Sequence, residues 1–274
     1  MTKFSIAFFY DNIGDNMIEI VNKFLWGIAT IFLIGSGIYF TSKLHFIQFK
    51  FKEMFHGFKG KSHGKISPFQ TLMMATAARI GVGSLAGVAL AIYFGGLGSI
   101  FWLWLSAIIT APNAFVESCL GVIYREKDGA YYKGGPAYYI DKGLGKKKLA
   151  KLYAILIIVA YILGFLTIQA NTITKSITTR IDINPFVVGI IIAILAGGII
   201  IKGVKGIADA TSKLVPVMGL GYLLVALIIV FMNIEMIPSI FASIIKDAFQ
   251  LKSAGVGILT SLLIGVQRGI FSSE

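Results

Sequence analysis

The chain has 274 residues, 56% of them hydrophobic and 14% charged, with a mean hydropathy of +0.81. Soluble domains carry about 25% charged residues, so this composition excludes a soluble enzyme or binding module and describes a polytopic membrane protein. The single cysteine, Cys119, excludes a disulfide framework and a cysteine metal site, and the formal charge of +12 has to be interpreted by where it falls along the chain.

Residues 1–23 mix Asp11, Asp15 and Glu19 with apolar residues and lack the basic start and cleavage site of a signal peptide, so a retained N-terminal segment is expected. A hydrocarbon core about 30 Å thick needs about 20 helical residues. Windows of that kind occur at 24–44, 68–94, 99–124, 150–179, 185–203, 214–233 and 254–273, which predicts seven helical spans. Between the first two, residues 45–67 interleave Phe with Lys at near-helical spacing, the pattern of an interfacial helix, and hold His45, His56 and His63 as solvated surface histidines. The chain ends on GVQRGIFSSE, within an apolar span, and a truncated or partial protein is expected.

Basic residues accumulate on the cytoplasmic side of a membrane. Segments 43–66, 125–151 and 202–213 hold seventeen of them, against six in the alternate connections, which places the N-terminus outside. The charge is then a topology signal with affinity for anionic lipid headgroups, and nucleic acid is not an expected partner.

No GxSxG, HExxH or Walker loop occurs, so no enzyme chemistry is expected. The ionisable residues within the spans are Arg79, Glu117 and Arg268, each expensive in lipid unless it faces protein, water or a partner. One bland role for Glu117 is a structural pair with an arginine. In the second span the stretch TAARIGVGSLAGVA places Gly81 and Gly83 inside an apolar run. A helix that unwinds there frees main-chain groups that must find partners. Amides at Val82 and Gly83 can take a carboxylate, and the carbonyls of Ala77 and Ile80 with the Ser84 side chain can hold a cation. The alternative is that Gly83 and Gly87 only permit close helix packing. The last span is also glycine-interrupted, at Arg268–Gly269, and two such spans at corresponding positions point to an inverted-repeat transporter.

The blocks GVGSLAGVALAI, GGLGSIFWLW, FVESCLGVIYREKDGAYYKGGPAYYIDKGLGKK, IQANTI, KLVP and RGIFSSE resemble, in order and spacing, the alanine or glycine:cation symporter family. The resemblance runs from about residue 24 to the end. It implies an all-α membrane protein with a leucine-transporter-like five-plus-five inverted repeat, here incomplete, preceded by one extra helix. The corresponding parts are an N-terminal segment (1–23), the extra helix (24–44), the interfacial segment (45–67), a first repeat (68–233) and the start of a second (234–274). It implies small neutral amino acids as substrate, moved with a cation, in the plasma membrane, with no cofactor beyond transported sodium. The alternatives are a non-functional truncated remnant or a structural or channel-like membrane protein.

Carried over by position, the substrate site comprises Gly81, Val82, Gly83, Gln169, Gly269 and Phe271, and the cation site Ala77, Ile80 and Ser84. Asn171 lies beside Gln169, and the second broken helix is expected at Arg268 to Ser272. Gly134, Gly135 and Pro136 set a turn in the cytoplasmic loop. The chain departs from the family pattern at Arg79 and Val82, where threonines are expected, and at Ser84, where asparagine is expected. A guanidinium 4 Å from sodium repels it by about 4 kcal/mol at an effective dielectric of about 20, which bears directly on sodium coupling.

Overall fold

The structure, a computed structural model, describes residues 13–53, 66–129, 131–249 and 258–272. It is almost entirely helical. Helix α1 is Ile13–Lys43, followed by a short 3-10 turn at Ile47–Phe49. Helices α2 (Pro68–Arg79) and α3 (Val82–Gly95) are two halves of one apolar run, and α4 is Gly98–Ile123. A hairpin of β1 (Glu126–Asp128) and β2 (Tyr131–Lys133) leads to α5 (Pro136–Leu144). Helices α6 (Lys147–Ala160) and α7 (Thr167–Thr178) join through a π-helical turn at Tyr161–Leu166. Then come α8 (Pro185–Ile200), α9 (Gly203–Met232), α10 (Ile237–Phe249) and α11 (Ile258–Ser272).

Helix α4 is the central post, packed by α11, α1, α10 and α3. The contacts are made by small and hydroxyl residues. Ala91, Ser99, Ser106, Thr110 and Ser261 are buried, Ser99 Oγ donates to Ala91 O at 2.9 Å, and Ser261 Oγ donates to Gly95 O. Side chains of this size let backbones approach where lipid supplies no hydrophobic drive for helices to associate. The large apolar side chains point outward instead: Leu163 is 71% and Phe231 66% exposed, as lipid-facing residues are.

Two polar tethers fix the ends of this assembly. Ser67 Oγ accepts the Gln70 N–H while Gln70 Oε1 accepts the Ser67 N–H, a capping box that starts α2 with Pro68 at its first position. Gln70 also donates from Nε2 to Asp209 Oδ1 at 2.8 Å, joining that start to α9. At the other end, Asp247 Oδ2 of α10 accepts the Gly98 N–H at 2.7 Å, and Trp102 Nε1 donates to Ala248 O at 3.3 Å.

Among the described residues five helical stretches are long and apolar enough to cross a membrane: Ile20–Lys43, Pro68–Gly95, Gly98–Ile123, Lys147–Thr178 and Gly203–Met232. The expected span at 185–203 is a 16-residue helix, Pro185–Ile200, shorter than a bilayer requires, and the last described helix has 15 residues. Residues 203–213, assigned to a loop from their lysines, form the first turns of α9, where Asp209 is satisfied by Gln70. The all-helical expectation also omits the hairpin at Glu126–Lys133. Apart from the turn at Ile47–Phe49, the expected interfacial helix lies largely outside the described residues, as do His56 and His63.

The second expected break does not occur where it was placed. Helix α11 runs without interruption through Arg268 and Gly269 to Ser272. A Cβ on Gly265 would collide with Ser99 O, and one on Gly269 with Ser106 Oγ and, at 2.7 Å, with Leu103 O. These two glycines, four residues apart, serve helix packing against α4 rather than unwinding.

Candidate functional site

The first break is present. Helix α2 ends at Arg79, Ile80 leaves helical geometry at φ −84° and ψ 82°, and α3 restarts at Val82 after an extended Gly81 at φ −132° and ψ −171°. The Ile80 N–H still reaches Thr76 O at 2.9 Å, and the next bonds run from Ser84 and Leu85 N–H to Gly81 O at 3.2 and 3.3 Å. Among the described residues no main-chain N–H returns to the carbonyls of Ala77 or Ala78. The interruption therefore leaves carbonyls at the end of one half-helix and amides at the start of the other, within a membrane-length run.

Gly81 is extended, a conformation any residue adopts, so its backbone does not demand glycine. Close approach does: a Cβ there would lie 2.6 Å from Gln169 Nε2. The structure thus brings Gln169 of α7 onto the break, while Asn171 is exposed. Ser84 Oγ donates to Arg79 O and so ties the first turn of α3 back across the gap. Ala77 and Ile80 line a separate, apolar cavity of about 190 Å³ with Ile199, Leu214, Val215 and Met218.

Arg79 sits in the last turn of α2 and donates from Nη1 to Ala75 O at 3.0 Å, so its charge lies at the negative end of that helix dipole. It lines a cavity of about 620 Å³ with Thr110, Asn113, Glu117, Tyr161 and Phe165. Arg79 and Glu117 therefore share one cavity, but no ion pair joins them among the described residues, in contrast to the expected structural pair. Ile270 of α11 reaches the same cavity. Arg268 lies across Gly87 of α3, where a Cβ would be 3.9 Å from its Nη1, so this charge is held between two helices. Gly269 is buried against α4, and Phe271 stands in the last turn of α11.

The cavity wall includes residues that sequence reasoning did not select. The π turn carries Tyr161 and Phe165, whose rings stack at 5.0 Å, and brings both to the cavity. Gln169 follows Phe165 by one turn. The only signal in the sequence is that four-residue spacing. At the loop side, Gly135 adopts φ 117°, a value that favours glycine, and hands over to Pro136 at the first turn of α5, as the Gly-Gly-Pro turn predicts. A Cβ on Gly134 would lie 2.5 Å from Gly121 O, so this turn is pressed against the end of α4. On α5, Tyr139 has its phenol pKa raised, first by burial and then by the Glu117 carboxylate.

The family model for the sodium:alanine symporter family matches residues 11–274. The chain belongs to the sodium:alanine symporter family. It is 41% identical over 264 residues to the amino-acid carrier protein AlsT of Bacillus subtilis, covering 95% of this chain and 57% of that protein. It is 36% identical over 274 residues to the sodium/alanine symporter AgcS of Methanococcus maripaludis, covering 94% of this chain and 60% of that protein. The chain thus spans a little over half the length of these curated relatives of the symporter family.

Proposed function

We propose that the chain is part of a secondary carrier that moves small neutral amino acids, alanine or glycine, together with a cation, sodium being the expected one. The observation that carries this reading is the break at Ile80–Gly81, with unreturned carbonyls on one side, a fresh helix start on the other and Gln169 against it. Membership of the sodium:alanine symporter family supports it.

In this reading the substrate carboxylate is held by the amides of Val82 and Gly83, where the α3 dipole favours negative charge. Gln169, Gly81 and Phe271 complete the substrate site, and the cation lies among the carbonyls of Ala77 and Ile80 and the Ser84 hydroxyl. Residues 68–233 form the first five-helix repeat of a five-plus-five fold, after one extra helix. The basic segments 43–66 and 125–151 face the cytoplasm, with the N-terminus outside and the protein in the plasma membrane. Binding of substrate and cation shifts the balance between outward- and inward-facing states, and the cation gradient sets the direction.

The test is alanine uptake by proteoliposomes containing the protein with Gly83→Val, which fills the space where backbone approaches carboxylate. Uptake falls to background if the site is right; unchanged uptake contradicts the assignment.

A further inference from the structure

Segment 125–151 carries eight basic residues, and the structure separates those already engaged from those that are not. Arg125 lies over the Tyr132 ring at 4.3 Å, Lys133 Nζ pairs with Asp128 at 2.7 Å, and Lys142 Nζ pairs with Glu126 at 2.8 Å. Lys127 is exposed on β1. The other four, Lys146, Lys147, Lys148 and Lys151, are exposed where α6 begins, and none makes an ion pair among the described residues. Asp141, the acidic residue nearest to them along the chain, pairs with none of them.

Lys147 and Lys151 are four residues apart on α6, and Lys148 and Lys151 three apart, so the three ammonium groups share a face and repel one another. That face continues into apolar residues. Four, seven and eight positions after Lys148 come Leu152, Ile155 and Leu156, and eight after Lys151 comes Val159, with exposures of 52%, 61%, 58% and 46%. The lysines stand at the end of Lys147–Thr178, a stretch long and apolar enough to cross a membrane, and so at the level of the headgroups. One face of α6 is thus a cationic head above an exposed apolar stem.

We propose that this face binds an anionic phospholipid, with its phosphate against Lys148 and Lys151, Lys147 beside them, and an acyl chain along Leu152, Ile155 and Val159. A free phosphate would use the lysines and leave the apolar stem uncovered, while a zwitterionic lipid would cover the stem and leave the positive charge unbalanced. General attraction between a basic loop and an anionic surface would draw on all eight charges. This site draws on the unpaired ones at the start of α6, and it does not depend on the carrier reading.

Native mass spectrometry of the full chain in detergent, titrated with dioleoyl phosphatidylglycerol or dioleoyl phosphatidylcholine, tests it. Phosphatidylglycerol should bind the wild type about tenfold more tightly, and Lys148→Gln with Lys151→Gln should remove that preference. Lys133→Gln with Lys142→Gln takes the same charge from the same segment and should keep the preference within about twofold. Equal affinity of the wild type for the two lipids, a comparison that needs no variant, overturns the site. Equal loss from both pairs of substitutions overturns it as well, since the attraction would then follow net charge. Displacement of the lipid by an equal concentration of inorganic phosphate would show a free-phosphate site in place of a lipid one.

Discussion

Gly81 and Gln169 are in contact across the break: a Cβ added to Gly81 would lie 2.6 Å from Gln169 Nε2. The amide is the far end of a flexible side chain, so Gly81→Ala is expected to displace Gln169 rather than to unfold the helix pair. Alanine affinity should fall about tenfold in Gly81→Ala, equivalent to about 1.4 kcal/mol. In Gly81→Ala combined with Gln169→Ala the loss should equal that of Gln169→Ala alone. A double-mutant cycle in binding checks this, and additive losses would show that the two residues act independently.

Helix α11 depends on glycine for a different reason. Gly269→Ala places a methyl against Ser106 Oγ and Leu103 O, whereas Gly219 in α9 has nothing within 4 Å of an added Cβ. Overpacking costs about 1–3 kcal/mol, while alanine in an open helix position is neutral or better. Thermal unfolding in detergent should therefore show a clear drop for Gly269→Ala and none for Gly219→Ala.

Asp247 caps a helix other than its own, accepting the Gly98 N–H at 2.7 Å. Its loss in Asp247→Ala leaves the first amides of α4 without that acceptor and should cost about 0.5–2 kcal/mol. Asp247→Asn keeps an acceptor but loses the charge and should fall between the two in the same unfolding measurement.

Arg79 holds a positive charge in the last turn of α2, one residue before Ile80 in the chain, with its Nη1 turned back to Ala75 O. At an effective dielectric of about 20 a unit charge 4 Å from a cation repels it by about 4 kcal/mol, and by less at greater distance, and Arg79→Thr removes that charge. Alanine uptake by this variant should depend more steeply on external sodium than that of the wild type. Equal dependence before and after would show that the guanidinium does not act on the cation.

The break was legible because glycines inside an otherwise apolar run, followed by Ser84, leave few reasons to interrupt a hydrophobic span. Gln169 came from family resemblance, and the contact with Gly81 supplies its physical basis. The same glycine signal misled at Arg268–Gly269, because composition does not distinguish a glycine that unwinds from one that packs. The facing atoms decide it, and they belong to Ser99, Leu103 and Ser106, more than 150 residues away.

The cavity wall was harder to read. A π turn at Tyr161–Leu166 takes up more residues per turn than an α-helix, so an α-helical projection of 150–179 assigns the wrong face to what precedes or follows it. Asn113 donates from Nδ2 to Leu33 O, a contact between residues 80 positions apart that spacing along the chain does not reveal. The hairpin at Glu126–Lys133 had its signal in the Asp128–Gly129 pair, but three-residue strands are too short to show alternation.

The central claim concerns the main chain at Val82 and Gly83, and a structure of the protein with bound alanine tests it most directly. The account predicts the alanine carboxylate within about 3 Å of those two amide nitrogens, with Gln169 beside it. Alanine bound with both amides unengaged, or a helix that closes through Ile80 and Gly81 when the ligand is present, would contradict it.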